Sequence, residues 1–174
     1  MNVLDTYNIA WKGLGFGFHR FQYRIDGAFF KAFDGGIVDD GAIDVMAELE
    51  LASGVMALRL VMTGTVRLAC NRCLELYDQP VESTNRLIIK FGDGLEDDLD
   101  VVWISPDDDY IKIAKPIYDF IVLAVPMRQV HPDPADCNPE MIKKLELLSV
   151  RESPAQENNS AWEVLEKIRE QINF

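Results

Sequence analysis

Ile43-Asp44-Val45-Met46-Ala47-Glu48-Leu49-Glu50-Leu51-Ala52-Ser53-Gly54-Val55-Met56-Ala57-Leu58-Arg59-Leu60-Val61-Met62 alternates, breaks once, and alternates again. Ile43, Val45, Ala47, Leu49 and Leu51 share one face of an extended chain, and Met56, Leu58, Leu60 and Met62 share one face of the next. A period of two marks a strand buried on one side only. Ser53-Gly54 supplies a tight turn, so the run reads as an antiparallel hairpin.

Downstream of the hairpin, residues 65–69 continue or follow the second strand, Cys70-Asn71-Arg72-Cys73 interrupts the pattern, and residues 77–91 resume it with Leu87, Ile89 and Phe91 on one face. Upstream, Phe16 and Phe18 alternate, and Phe21, Tyr23 and Ile25 alternate in the opposite phase. That phase switch at His19–Arg20 predicts a bulged strand or a strand pair over residues 14–25. The apolar run 28–33 ends at a turn, Asp34-Gly35-Gly36.

The last third changes period. Pro116 suits the first turn of a helix, Ile117, Phe120, Ile121 and Ala124 follow at helical spacing, and Pro126 ends the run. Asn138-Pro139-Glu140 is a helix start, with Met141, Leu145 and Leu148 as its apolar stripe. Ser160-Ala161-Trp162-Glu163 fits a capping box ahead of a stripe of Trp162, Leu165, Ile168 and Ile172. Strands first and helices last predict an α+β fold with an antiparallel sheet, open or barrel-like, in the first two thirds. Residues 1–150 are expected to form a single domain, and 151–174 a polar link and a C-terminal amphipathic helix.

A chain of 174 residues with 48% hydrophobic content buries enough surface to fold without disulfides. Its longest apolar stretches, 117–125 and 55–62, are broken by Asp119 and Arg59 and fall short of the roughly 20 residues a membrane helix needs. The opening residues place no basic region ahead of an apolar run, so no export signal is read and the cytoplasm is the expected location.

The net charge is -12 and unevenly spread. Residues 91–110 hold eight of the 29 acids and no Lys or Arg. Asp97, Asp98, Asp100, Asp107, Asp108 and Asp109 read as a solvated segment, as a docking surface for a basic protein or, against the spacing such a loop needs, as a calcium loop. Phosphates are repelled by such a body unless bases cluster locally. Phe16, Phe18, Phe21 and Tyr23, interleaved with Arg20 and Arg24, read as core packing or as a base-stacking platform. An RNA-binding module on a basic-aromatic face around Arg20, Arg24, Arg67 and Arg72 is therefore the alternative to protein docking.

Candidate chemistry converges on the three cysteines. Cys70-x-x-Cys73 lets two thiolates point to one centre from a tight turn, and His131 and Cys137 complete the four N/S ligands that tetrahedral zinc takes. One structural zinc, unmetallated packing cysteines and a redox pair all remain open from spacing alone. The redox reading lacks the helix N-terminus that lowers a first thiol's pKa. His19, the other histidine, reads as a packed or hydrogen-bonded residue and as a substitute ligand if His131 points away. Catalytic motifs are thin: Gly13-x-Gly15-x-Gly17 precedes an aromatic strand and not a helix, and no Ser elbow or His/Asp pairing is visible. No catalytic residue is assigned, and an enzyme of another kind, a nuclease or thiol enzyme, is the third reading.

Cys70-Asn71-Arg72-Cys73-Leu74-Glu75 resembles the Cys-x-Arg-Cys-Leu-Glu signature of the YceD-like large ribosomal RNA accumulation proteins. Tyr110-Ile111-Lys112-Ile113, Ile117-Tyr118-Asp119, Leu123-Ala124-Val125-Pro126-Met127, Val130-His131-Pro132 through Cys137, and Trp162–Ile168 follow in the family's order. Gly17-Phe18-His19-Arg20-Phe21 with Phe29-Phe30 is similar to Bacteroides-type members. The single Cys137, where some relatives carry a cluster, leaves the three-cysteine, one-histidine set. The resemblance implies a non-enzymatic role in accumulation or processing of large-subunit ribosomal RNA. A basic ribosomal protein or a pre-ribosomal particle is the expected partner, with direct rRNA contact left open and no membrane involved.

Overall fold

The computed structural model describes residues 3–33, 36–53, 55–92 and 100–149. In chain order the strands and helices are β1 (Asn8–Ala10), β2 (Gly17–Ile25), α1 (Gly27–Lys31), β3 (Gly41–Ala52), β4 (Val55–Ala69), β5 (Leu76–Phe91), β6 (Val101–Ile104), β7 (Tyr110–Lys112), α2 (Ala114–Ala124) and α3 (Pro139–Leu148). Contacts divide the chain into two compact units, Met1–Asn138 and Pro139–Phe174. The expected link and C-terminal helix of 151–174 lie outside the described residues.

The hairpin forms as its alternation requires. β3 and β4 pair antiparallel from Gly41↔Val66 to Ala52↔Val55, and β4 pairs with β5 from Met56↔Ile89 to Ala69↔Leu76. Ile43, Val45, Ala47, Leu49, Leu58, Leu60, Met62 and Leu87 are buried on the shared inner face. Gly64 sits where β3 and β4 approach too closely for a side chain: a Cβ there would strike the Ala42 carbonyl oxygen.

The sheet has five strands in the order β2-β3-β4-β5-β6, and a second sheet pairs β1 with β7. The sequence leaves an open sheet and a barrel as alternatives, and two further expectations need correcting. The main sheet is open and not a barrel, with β2 and β6 as its edges. Its inner face is covered by α1 against β3 and α2 against β5, not by its own curl. It is also not wholly antiparallel, because β6 lies parallel to β5. Finally, β2 carries no bulge: its register with β3 is unbroken from Gly17↔Leu51 to Ile25↔Ile43. The phase switch has another cause. Phe18 points to the outer face and stays 66% exposed, whereas Phe21, Tyr23 and Ile25 turn toward the core.

The helices explain themselves locally. Asp26 caps α1 by accepting from the amides of Ala28 and Phe29, which aligns Phe29 and Phe30 for burial. This helix falls early in the chain, ahead of the predicted helical third. α2 buries Ile117, Phe120 and Ile121 at i, i+3 and i+4, and tolerates Pro116 in its first turn. β1 and β7 bury Ile9 and Ile111 opposite each other and fix the chain just ahead of α2. α3, in the second unit, opens with Pro139 as expected. No helix among the described residues is long and apolar enough to cross a membrane.

Candidate metal centre

The β4–β5 hairpin loop holds the first half of the site. Inward alternation along β4 passes through Val66 and Leu68 and delivers Cys70 to the same side. The amide of Cys70 donates to the Glu75 carbonyl at 2.8 Å, that of Leu74 to the Cys70 carbonyl at 2.8 Å, and that of Arg72 to the Cys70 Sγ at 3.4 Å. Leu74 takes the left-handed conformation (φ 65°) that closes this tight loop. The loop joins two strands, so no helix N-terminus follows Cys70.

The second half comes from the loop after α2. The amide of Asn71 donates to the Gln129 carbonyl at 2.7 Å, and Asn138 Nδ2 donates to Glu75 Oε1 at 2.8 Å. These two bonds stitch the loops together on either side of the site. Asp133 caps a short 3-10 turn, Pro134–Asp136, which delivers Cys137. Tyr77, buried at the start of β5, lies 5.1 Å from His131, centroid to centroid.

The four side chains converge. Cys70, Cys73, His131 and Cys137 are all buried, and their ligand atoms lie within 4.8 Å of one another. His131 Nδ1 stands 3.5 Å from Cys73 Sγ and 3.5 Å from Cys137 Sγ. Bond lengths of about 2.3 Å to sulfur and about 2.0 Å to nitrogen around tetrahedral zinc put S and N about 3.5 Å apart. The observed spacing is therefore that of two tetrahedron edges, and the donor set fits a closed structural zinc site. His131 points inward, so His19 is not drawn in; it is half-buried in β2 and its Nε2 lies 2.7 Å from the Gly15 carbonyl.

The thiols are electrostatically unequal. Burial pushes Cys70 up, but backbone N–H groups of Cys73, His131 and Arg72 aimed at its sulfur outweigh that and bring it to about 6. Cys137 goes the other way, to about 11, through burial and hydrogen bonds with Cys73 and Cys70. Burial and the negative Cys70 also raise the Tyr77 hydroxyl. One thiolate thus forms readily at Cys70 while Cys137 keeps its proton, which a divalent cation would displace.

The acidic candidates are only partly brought together. Asp97 and Asp98 lie outside the described residues. Asp100, Asp107, Asp108 and Asp109 are exposed. The 107–109 turn is an ordered structure pinned by the N-terminal segment. Trp11 Nε1 donates to the Asp108 carbonyl at 3.1 Å, Lys12 Nζ pairs with Asp109 at 2.9 Å, and Asp108 accepts from the Ser105 amide at 3.1 Å. Sequence reading missed Lys12, because 95 residues separate it from the acid loop whose Asp107 carbonyl it also binds.

Arg20, Arg24 and Arg67 share the outer face of the main sheet, and Arg72 does not join them. Arg20, Arg24 and Arg67 lie on exposed strand positions, each paired with a carboxylate: Glu48 at 2.6 Å, Asp44 at 3.2 Å and Asp78 at 3.2 Å. Arg72 stands apart in the cysteine loop, half-buried, with Nη2 donating to the His131 carbonyl at 3.3 Å. Its place between the two cysteines is the sequence signal for this position.

The family profile "Large ribosomal RNA subunit accumulation protein YceD" matches residues 58–169, spanning Cys70, Cys73, His131 and Cys137. No curated protein and no solved structure matches the chain.

Proposed function

The chain belongs to the YceD family of large ribosomal RNA subunit accumulation proteins, and from that premise we propose that it is a non-enzymatic cytoplasmic factor. It supports accumulation or assembly of the large-subunit ribosomal RNA by binding a basic ribosomal protein or an assembling particle. The observation that carries this reading is the buried Cys3His cluster. With all four corners of a tetrahedron filled by protein, a zinc held there has no open position for a reactive water. Cys70, Cys73, His131 and Cys137 would hold that ion, and its chemistry is to lock the hairpin loop to the loop after α2. A net charge of -12 then favours a positively charged partner over bare RNA.

Asp107, Asp108 and Asp109 are the proposed docking residues, with Asp97, Asp98 and Asp100 beside them in sequence. Asp109 already pairs with Lys12 and Asp108 caps the turn. Asp107 is the cleaner probe, since its carboxylate has neither duty. The alternative, RNA held by Arg20, Arg24, Arg67 and Arg72, must first displace three carboxylates from three of these arginines.

Affinity capture from the native cells decides between the readings. The tagged chain is expected to retain a basic ribosomal protein after nuclease treatment. Charge reversal of Asp107, alone and with Asp108 and Asp109, should weaken that capture while the fold persists. Unchanged capture by the triple variant rejects the docking surface, and nuclease-sensitive capture that falls steeply with salt supports the RNA alternative.

A further inference from the structure

Among the described residues one buried side-chain nitrogen or oxygen lacks a hydrogen-bond partner, and it is Arg72 Nε. No carboxylate pairs with this guanidinium among the described residues, in contrast to Arg20, Arg24, Arg67 and Arg86. A buried donor atom left without a partner is costly, and native structures rarely keep one without a reason. Here the reason stands next to it. The Arg72 amide bonds the Cys70 sulfur, and its Nη2 reaches across to the His131 carbonyl, so the residue touches both halves of the cluster.

Three thiolates and a neutral imidazole around a divalent ion carry one excess negative charge. In a buried site that excess needs a cation. We propose that Arg72 is the charge-compensating positioning residue of this centre: its guanidinium offsets the excess negative charge of the loaded cluster, and its bond to the His131 carbonyl holds the histidine loop against the cysteine loop. The inference rests on the zinc reading above. It explains why Nε needs no point partner, since the field of the thiolates takes that place.

The test is zinc affinity of the full chain under reducing conditions, by competition with a chromophoric chelator, for wild type, Arg72→Gln and Arg72→Lys. Cobalt(II) spectra and the pH profile of metal retention are read alongside. Arg72→Gln is expected to weaken zinc binding about 10- to 100-fold. Its cobalt bands should stay at the wild-type positions, and metal should be lost at a higher pH than from wild type. Arg72→Lys, which keeps the charge, should recover most of the affinity. If Arg72→Gln fails to fold, Arg72→Met asks the same question with the apolar stem kept. An Arg72→Gln affinity within about twofold of wild type overturns the proposal, as does an Arg72→Lys variant as weak as Arg72→Gln. A wild-type chain that takes up no zinc overturns the zinc reading itself, which separates the two failures.

Discussion

The inner face of β3–β5 and the Cys3His centre are held in opposite ways. The sheet face is built from many interchangeable apolar contacts between strands that follow one another in the chain. The centre is built from four side chains, and 58 residues separate Cys73 from His131. Losing one contact from the first is a graded loss. If the second holds zinc as proposed, losing one donor should remove the whole centre, because three ligands do not hold a structural zinc as four do. The difference lies in sequence distance: the sheet face joins strands adjacent in the chain, whereas the centre joins two loops far apart in it.

The sharpest way to break this contrast is Cys73→Ser. Zinc content should fall from about one per chain to none, with a destabilisation above about 4 kcal/mol in denaturant titrations. Hydrogen exchange should rise around residues 129–137 and stay slow along β3. Equal exchange in both places would show a single cooperative unit and end the comparison.

Leu58→Ala tests the other side. Leu58 is fully buried, so truncation should cost about 3 kcal/mol through lost burial and the cavity left behind. Zinc stoichiometry by elemental analysis should be unchanged. A variant that still folds but arrives without metal would tie the centre to the sheet more tightly than proposed.

A smaller effect sharpens the electrostatics of the metal-free centre. Cys70, lowered from 9.0 to about 6, contributes stability that is full above pH 9 and lost as pH falls toward 6. Cys137, raised from 9.0 to about 11, contributes stability that is full below pH 9 and lost as pH rises through 11. Stability of chelator-treated, reduced protein should therefore peak near pH 9. The measurement is the urea midpoint relative to a Cys70→Ser, Cys137→Ser double variant, and the slope on each side should not exceed about 1.4 kcal/mol per pH unit. A flat difference across that range rejects the unequal thiols.

Much of the fold was legible in the chain because alternation and capping are local properties. Ile43 to Leu51, Met56 to Met62, Asn138-Pro139 and the Ile117/Phe120/Ile121 stripe each reported their own element. The misread bulge in β2 has a specific origin. Periodicity treats every aromatic as inward, and Phe18 is an outward one. The candidate site was legible by residue type, since Cys-x-x-Cys with a later His and Cys names a donor set. Arg72 stands in the same motif, but its bond to the His131 carbonyl spans 59 residues and no local pattern reports it.

What the sequence determined alone was the α+β order of elements, the antiparallel hairpin, the acidic balance and the identity of four metal-capable donors. Each follows from side-chain chemistry read over neighbouring positions. Only the tertiary structure decided that the sheet stays open, that β6 joins it in parallel, that Lys12 pins the acid loop, and that His131 Nδ1 faces two thiols at 3.5 Å. Those are distances between residues far apart in the chain, set by how whole elements pack against one another, and no local pattern encodes them.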